Sequence, residues 1–275
     1  MIIGNRELDT ADKCHIMGIL NITPDSFSDG GKWDTLDSAL RHAQDMVNDG
    51  ADLIDVGGES TRPGYSGISE QEEIDRTIPV IEALHRRIDV PISIDTCKSS
   101  VAKAGLDAGA VLVNDIWGLK YDPAMAGVIA GRGAACCLMH NRHSASYSDF
   151  LPDMLADLGE SLAFAHRAGI TADRIILDPG IGFGKTYGMN LEAINNLDKL
   201  AALGYPVLLG VSRKSVVGKT LDLPVTERLE GSLAAAVIGL VRGCSFLRVH
   251  DVKQTRRAVK MAEAILGSNT NNRTK

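Results

Sequence analysis

Eight times along this chain, a short apolar run that reads as a buried strand is followed by a longer stretch with helical spacing. The runs lie at 16–20, 53–56, 91–95, 111–114, 134–139, 174–177, 206–211 and 245–249. The helical stretches lie at 36–48, 69–88, 99–108, 123–130, 154–168, 191–203, 226–241 and 252–266. Leu36, Leu40, Ala43 and Val47 share one face of the first helix, and Ser69 with Glu72 forms a capping box at the start of the second. Strict alternation of this kind predicts the α/β class and a closed (β/α)₈ barrel of the TIM type, rather than an open doubly wound sheet. Nothing in composition divides the chain, so a single domain is expected over 1–267. Gly267 should stop the last helix and leave 268–275 as a polar, frayed tail.

A barrel of this kind is well matched to 275 residues. The formal net charge of −6 excludes the basic stripe that nucleic acid needs, and aromatics at 4% leave little for base stacking. The cysteines Cys14, Cys97, Cys136, Cys137 and Cys244 form no CxxC pair and read as reduced thiols. No leader-like segment opens the chain and no apolar stretch has the length of a membrane span, so a cytoplasmic enzyme without membrane partners is expected.

The barrel locates the site before any motif does. Ligand groups should gather at the C-terminal strand ends and in the loops after them. Those ends read Asn21, Gly57/Gly58, Asp95, Asn114, His140, Asp178, Ser212 and His250, polar at every strand but one. Side-chain parity sharpens the picture. With Ile92 and Ile94 facing the helices, Asp95 points inward; Ser212 shares parity with Lys214, and Arg248 and His250 share it with Phe246. A mouth holding carboxylates, amides, a lysine, an arginine and a histidine suits a polar, flat substrate with an anionic tail.

The stretch 178–186, DPGIGFGKT, invites a nucleotide-binding reading and fails it on spacing. Pro179 stands where a Walker loop needs Gly, and GxGxG is not GxGxxG. His140 and His143 have no third metal ligand beside them, and no GxSxG elbow supports a Ser-His-Asp hydrolase. Asp52 and Asp55 read as structural polar residues, and Cys136-Cys137 as core.

Seven motifs then stand in order, each at a strand end: MGILNITPDSFSDGG (17–31), DLIDVGGESTRPG (52–64), SIDT (93–96), VNDI (113–116), LDPGIGFGK (177–185), VSRKS (211–215) and RVHDV (248–252). Together they resemble the dihydropteroate synthase family of pterin-binding barrels, over essentially 16–266. The resemblance implies a homodimeric folate-pathway transferase, a sulfonamide target. It would join 6-hydroxymethyl-7,8-dihydropterin pyrophosphate to p-aminobenzoate and release pyrophosphate. It implies that Asp95, Lys214 and Arg248 are catalytic, and that Asp178 recognises the pterin with Asn114 and Lys214, between Met139, Phe183 and the Arg248 guanidinium. Asn21 would contribute to a Mg²⁺ site, Arg62, Arg248 and His250 would meet phosphate oxygens, and Thr61, Arg62, Pro63, Lys214 and Ser215 would hold p-aminobenzoate. The stretch 139–150 departs from the common family pattern. The alternatives are a pterin-binding methyltransferase barrel, which would lack the SRKS and TRPG loops, and a silent paralogue, which would have lost Asn21, Asp95, Lys214 or Arg248; all of these are present.

Overall fold

Every apolar run becomes a strand in the computed structural model, which describes residues 1–22, 32–59 and 67–271. A short antiparallel hairpin comes first, β1 (Ile2–Ile3) and β2 (Arg6–Glu7). The barrel strands follow: β3 (His15–Asn21), β4 (Leu53–Gly57), β5 (Ile92–Asp95), β6 (Leu112–Asp115), β7 (Ala135–Met139), β8 (Ile175–Asp178), β9 (Leu208–Leu209) and β10 (Phe246–Val249). Between them run α1 (Lys32–Asn48), α2 (Glu70–His85), α3 (Ser99–Ala108), α4 (Met125–Arg132) and α5 (Phe150–Arg167). The rest are α6 (Tyr187–Asn195), α7 (Leu197–Ala201), α8 (Ser215–Leu221), α9 (Leu229–Val241) and α10 (Val252–Asn271).

The barrel strands pair in parallel in the order β8-β7-β6-β5-β4-β3-β10-β9. A bridge between Leu177 and Val207 closes the ring. Alternation along each strand divides the apolar residues between two clusters. Ile16, Ile54, Ile94, Val113, Leu177 and Leu247 face the helices. Met17, Leu53, Leu112, Cys137, Ile176, Leu208 and Phe246 fill the barrel interior, all shut off from solvent. Burying a side chain of the larger kinds here is worth about 1.5–3 kcal/mol. Ile3 joins the inner cluster from the hairpin, whose two-residue Gly4-Asn5 turn carries the positive φ that such a connection requires. The hairpin escapes sequence reading because two-residue strands carry no periodicity.

Several boundaries differ from expectation. Ser69 does cap α2, accepting from the Glu72 amide at 3.2 Å, but the Glu72 carboxylate pairs forward with Arg76. The helix expected over 191–203 breaks in two at Asn196, whose side-chain amide donates to the Glu192 carbonyl at 2.9 Å, a local bond that competes with continued helix. An unforeseen short helix, α8, follows β9. The last helix passes through Gly267 and ends at Asn271, so the glycine does not stop it. An interior glycine costs only about 1 kcal/mol, and among the described residues a Cβ there would meet nothing within 4 Å. Among the described residues no helix is long and apolar enough to cross a membrane.

Candidate active site

Above the apolar interior, the next inward position on several strands is charged. Arg248, two residues after Phe246 on β10, reaches across the barrel. Its Nε donates to Asp55 Oδ2 and its Nη2 to Asp95 Oδ2, each at 2.6 Å. Asn114 donates to the same Asp55 oxygen at 3.0 Å. Asp55 is wholly buried, and its Oδ1 has no partner among the described residues, nor has Ser93 Oγ opposite it in register. Asp55 is therefore part of the site's floor, not the structural residue expected from sequence. Its parity with Leu53 and Gly57, the rule that placed Asp95, would have found it. Asp52 is structural as expected, tying the Ile16 amide and Arg256 at the outside of the barrel.

The other side of the mouth gathers around Gly210. Within 4 Å of the point where a Cβ would stand lie Lys214 Nζ, Asp178 Oδ2 and Arg248 Cβ. Asp178 ends β8, and its Oδ1 accepts from the Gly180 amide at 2.6 Å. Lys214 does not reach this point along an extended strand. The chain turns at Ser212-Arg213, with Arg213 at φ +57°. The Arg213 guanidinium is locked to Asp251 by two bonds of 2.9 and 2.5 Å, and its amide donates to Ser232 Oγ at 3.0 Å. Lys214 Nζ then donates to the Ile181 carbonyl at 2.6 Å and stands 4.9 Å from the centre of the Phe183 ring. Met139 is buried at the end of β7 yet belongs to neither apolar cluster, as a wall for a ligand would. His250 lies against Ser212 Oγ, 3.2 Å from its amide and 3.1 Å from Nδ1, and Ser215 opens α8, exposed.

The burial of this layer shifts its titrations. Burial pushes Asp95 up to about 7, with the Arg248 guanidinium opposing and Asp55 reinforcing the rise. Burial also raises Asp178, against the pull of Lys214. Lys214 is driven down to about 8 by burial, with Asp178 opposing. In all three groups burial works against the charged form, which is common where a ligand completes the pairing.

Asn21 Oδ1 and Asp95 Oδ2 both lie near Gly57, 3.6 Å from the position of a Cβ there. Among the described residues no cluster of three or more His, Cys, Asp or Glu could hold a metal by itself. Thr61, Arg62 and Pro63 lie outside the described residues. The flanks of that segment are tied together: Lys98 Nζ donates to Glu59 and Glu73, each at 2.7 Å, and to the Ile68 carbonyl at 2.9 Å. The histidines that fail as a zinc pair have other partners: His140 meets Asp157 at 3.0 Å, and His143 packs on Trp117.

A (β/α)₈ frame with this mouth defines a pterin-binding enzyme, and residues 17–250 match the family model described as pterin binding enzyme. Within that class the chain belongs to the dihydropteroate synthase family. It is 54% identical over 267 residues to dihydropteroate synthase of Clostridium beijerinckii, covering 97% of this chain and 99% of that one. The solved dihydropteroate synthase of Clostridium difficile, in the presence of pteroic acid, superposes with a TM-score of 0.92 at 48% identity, over 94% of this chain and 99% of that one. That of Yersinia pestis, in a sulfonamide drug complex, gives 0.91 at 43% identity, over 97% and 99%.

Proposed function

We propose that the protein joins 6-hydroxymethyl-7,8-dihydropterin pyrophosphate to p-aminobenzoate, yielding 7,8-dihydropteroate and pyrophosphate, and that sulfonamides compete for the p-aminobenzoate site. The observation that carries the reading is the convergence of Asp178, Lys214 and Arg248 around Gly210, in a chain with close relatives of that activity. A pterin presents neighbouring N–H donors on its pyrimidinone edge, and Asp178 offers a buried carboxylate to accept them. Asn114 and Lys214 meet the remaining polar ring atoms, while Met139, Phe183 and the Arg248 guanidinium bound the ring.

The chemistry follows from charge. The C–O bond to pyrophosphate breaks with its electron pair leaving on oxygen, and the positive charge left on the methylene spreads into the electron-rich dihydropterin. A carboxylate fixed beside the ring, Asp95 held by Arg248, stabilises that charge without reorganising. The arylamine nitrogen, neutral at pH 7, closes the C–N bond and then sheds its proton, so no strong base is needed beforehand. Arg62, Arg248 and His250 receive the departing phosphate oxygens, and Thr61, Arg62, Pro63, Lys214 and Ser215 receive the p-aminobenzoate carboxylate end. The Asn21 carboxamide is a hard oxygen donor at the mouth, which fits Mg²⁺, an ion that takes few protein ligands and keeps waters and phosphates for the rest. Bound there, the ion would neutralise charge on the leaving pyrophosphate.

The assembly we favour is a homodimer. Tyr187, Leu191, Leu221, Ile238, Val241 and Met261 are exposed on α6, α8, α9 and α10, which pack side by side. Helix α9 is apolar nearly all round, a pattern that belongs to buried helices, and a second copy of the chain would cover it. A cytoplasmic location fits the reduced cysteines. The decisive assay incubates the purified protein with both substrates and Mg²⁺. Dihydropteroate and pyrophosphate should form in equal amounts, and neither forming would refute the reading.

A further inference from the structure

We infer that Lys185 is a positioning residue for the pterin: its ammonium clamps the loop carrying Phe183, and the amide that orients Asp178, against the loop after β7. The inference rests on the pterin placement proposed above. Of the described residues assigned to the substrate, Lys185 hydrogen-bonds only to Phe183, through its backbone carbonyl and away from the ring.

Its surroundings are unusual for a lysine. Nζ lies 2.8 Å from His140 Nδ1 and 3.0 Å from each of the Gly180 and Phe183 carbonyls, with the His140 carbonyl at 3.4 Å. An ammonium has three donors, and the three shorter contacts use them all. The far side of His140, Nε2, is 3.0 Å from Asp157 Oδ2. The pairing assigns a neutral ring with its proton on Nε2, donated to Asp157, and Nδ1 accepting from Lys185. Burial supports that state, driving His140 down to about 4, with the Lys185 charge acting in the same direction. Arg142 Nε completes the chain at 2.6 Å from the same Asp157 oxygen, and the Tyr147 hydroxyl donates to the Gly184 carbonyl at 2.7 Å.

The clamp is needed because the two loops meet backbone to backbone. A Cβ at Gly180, φ +69°, would stand 1.9 Å from the His140 carbonyl oxygen, and one at Gly184, φ +53°, 2.4 Å from that of Arg142. With no side chain between them, the carbonyls of His140, Gly180 and Phe183 turn toward one point, and the Lys185 ammonium stands there to receive them. What it holds then orients the site. The Gly180 amide fixes Asp178 Oδ1, Ile181 receives Lys214, and the Phe183 ring lies beneath the Lys214 ammonium. Burial lowers Lys185 to about 7, with Asp178 opposing, a cost consistent with a place chosen for geometry. The DPGIGFGK run thus carries a lysine that binds no phosphate and instead shapes the loop.

The test measures the full-length enzyme as wild type, Lys185→Met, Lys185→Gln and Asp178→Asn. Calorimetry reads the Kd of 6-hydroxymethyl-7,8-dihydropterin pyrophosphate with Mg²⁺, and steady-state assays read the KM of p-aminobenzoate at saturating pterin. Lys185→Met should raise the pterin Kd tenfold or more and raise the p-aminobenzoate KM by a clearly smaller factor, through Lys214 alone. Lys185→Gln, which keeps an N–H₂ donor, should lose less and serves in its place if the Met variant does not fold. An unchanged pterin Kd, or equal losses for both substrates, would overturn the inference. Lost affinity in Asp178→Asn beside unchanged affinity at position 185 would overturn Lys185's part alone. Unchanged affinity in Asp178→Asn would overturn the pterin placement, and this inference with it.

Discussion

Asp178 is a buried carboxylate with one oxygen already committed to the Gly180 amide and the other turned toward Lys214 and Gly210. Asp178→Asn keeps the shape but replaces one acceptor with a donor that faces a ring donor. We expect pterin binding to weaken by at least about 1–3 kcal/mol, the cost of a buried group left unpaired, with circular dichroism unchanged. Calorimetry showing wild-type affinity in the folded variant would remove Asp178 from the recognition role. At this scale the sequence was most readable where parity was applied. Asp95 and Arg248 point inward as expected and meet each other at 2.6 Å. Asp55 is hidden from a reading by residue type, because an aspartate inside an apolar strand shows its partners only through the way it faces.

The elements that carry these residues end where the chain changes direction, and one such turn is testable by itself. Arg213 adopts φ +57°, a conformation that costs a residue with a Cβ about 1–2 kcal/mol, and this turn is what brings Lys214 to the mouth. Arg213→Gly and Arg213→Ala both lose the pair with Asp251, so their difference isolates the backbone. The glycine variant should be more stable by about 1 kcal/mol in urea unfolding. An alanine variant of equal or greater stability would show that the turn relaxes once the side chain is gone. Helix boundaries were less readable than strand identities. The break at Asn196 and the extra helix α8 depend on side-chain and loop contacts that apolar spacing does not register.

For the molecule as a whole, the buried charges make stability depend on pH in two directions. Asp95 and Asp115, raised to about 7 and about 6, and Asp178, also raised, hold protons that the unfolded chain releases near pH 4. His140, lowered to about 4, acts the other way below about 6.5, but the three carboxyls outnumber it, so the native state still binds more protons and stability falls as pH rises from about 4 to 7. Lys185 and Lys214, lowered to about 7 and about 8, lose protons that the unfolded chain keeps to about 10, so stability recovers above that range. Thermal unfolding of the unliganded protein from pH 5 to 9 should therefore pass through a minimum near 7 to 8, shallower with a pterin bound. A steady rise from pH 5 to 7.5 would contradict it. The exposed face of α9 gives a second expectation. Val241→Asp should turn a dimer into a folded monomer in sedimentation analysis, and an unchanged dimer would move the interface elsewhere on the molecule.

Alternating apolar runs and helical stretches determined the barrel without help, because burial on both faces of a parallel strand leaves a continuous apolar signature and helices a 3.6-residue one. The same logic placed polar strand ends at one rim. It did not reveal partners. That Arg248 would bridge Asp55 and Asp95, that Lys185 would leave the site and hold its loop from behind, and that Ile3 would plug the far end are facts of tertiary structure. Periodicity records which side of an element a residue faces, and that is a local property. Which groups meet across the barrel depends on strand register and closure, set by packing between residues 153 and 193 positions apart in the chain, and no local pattern encodes it.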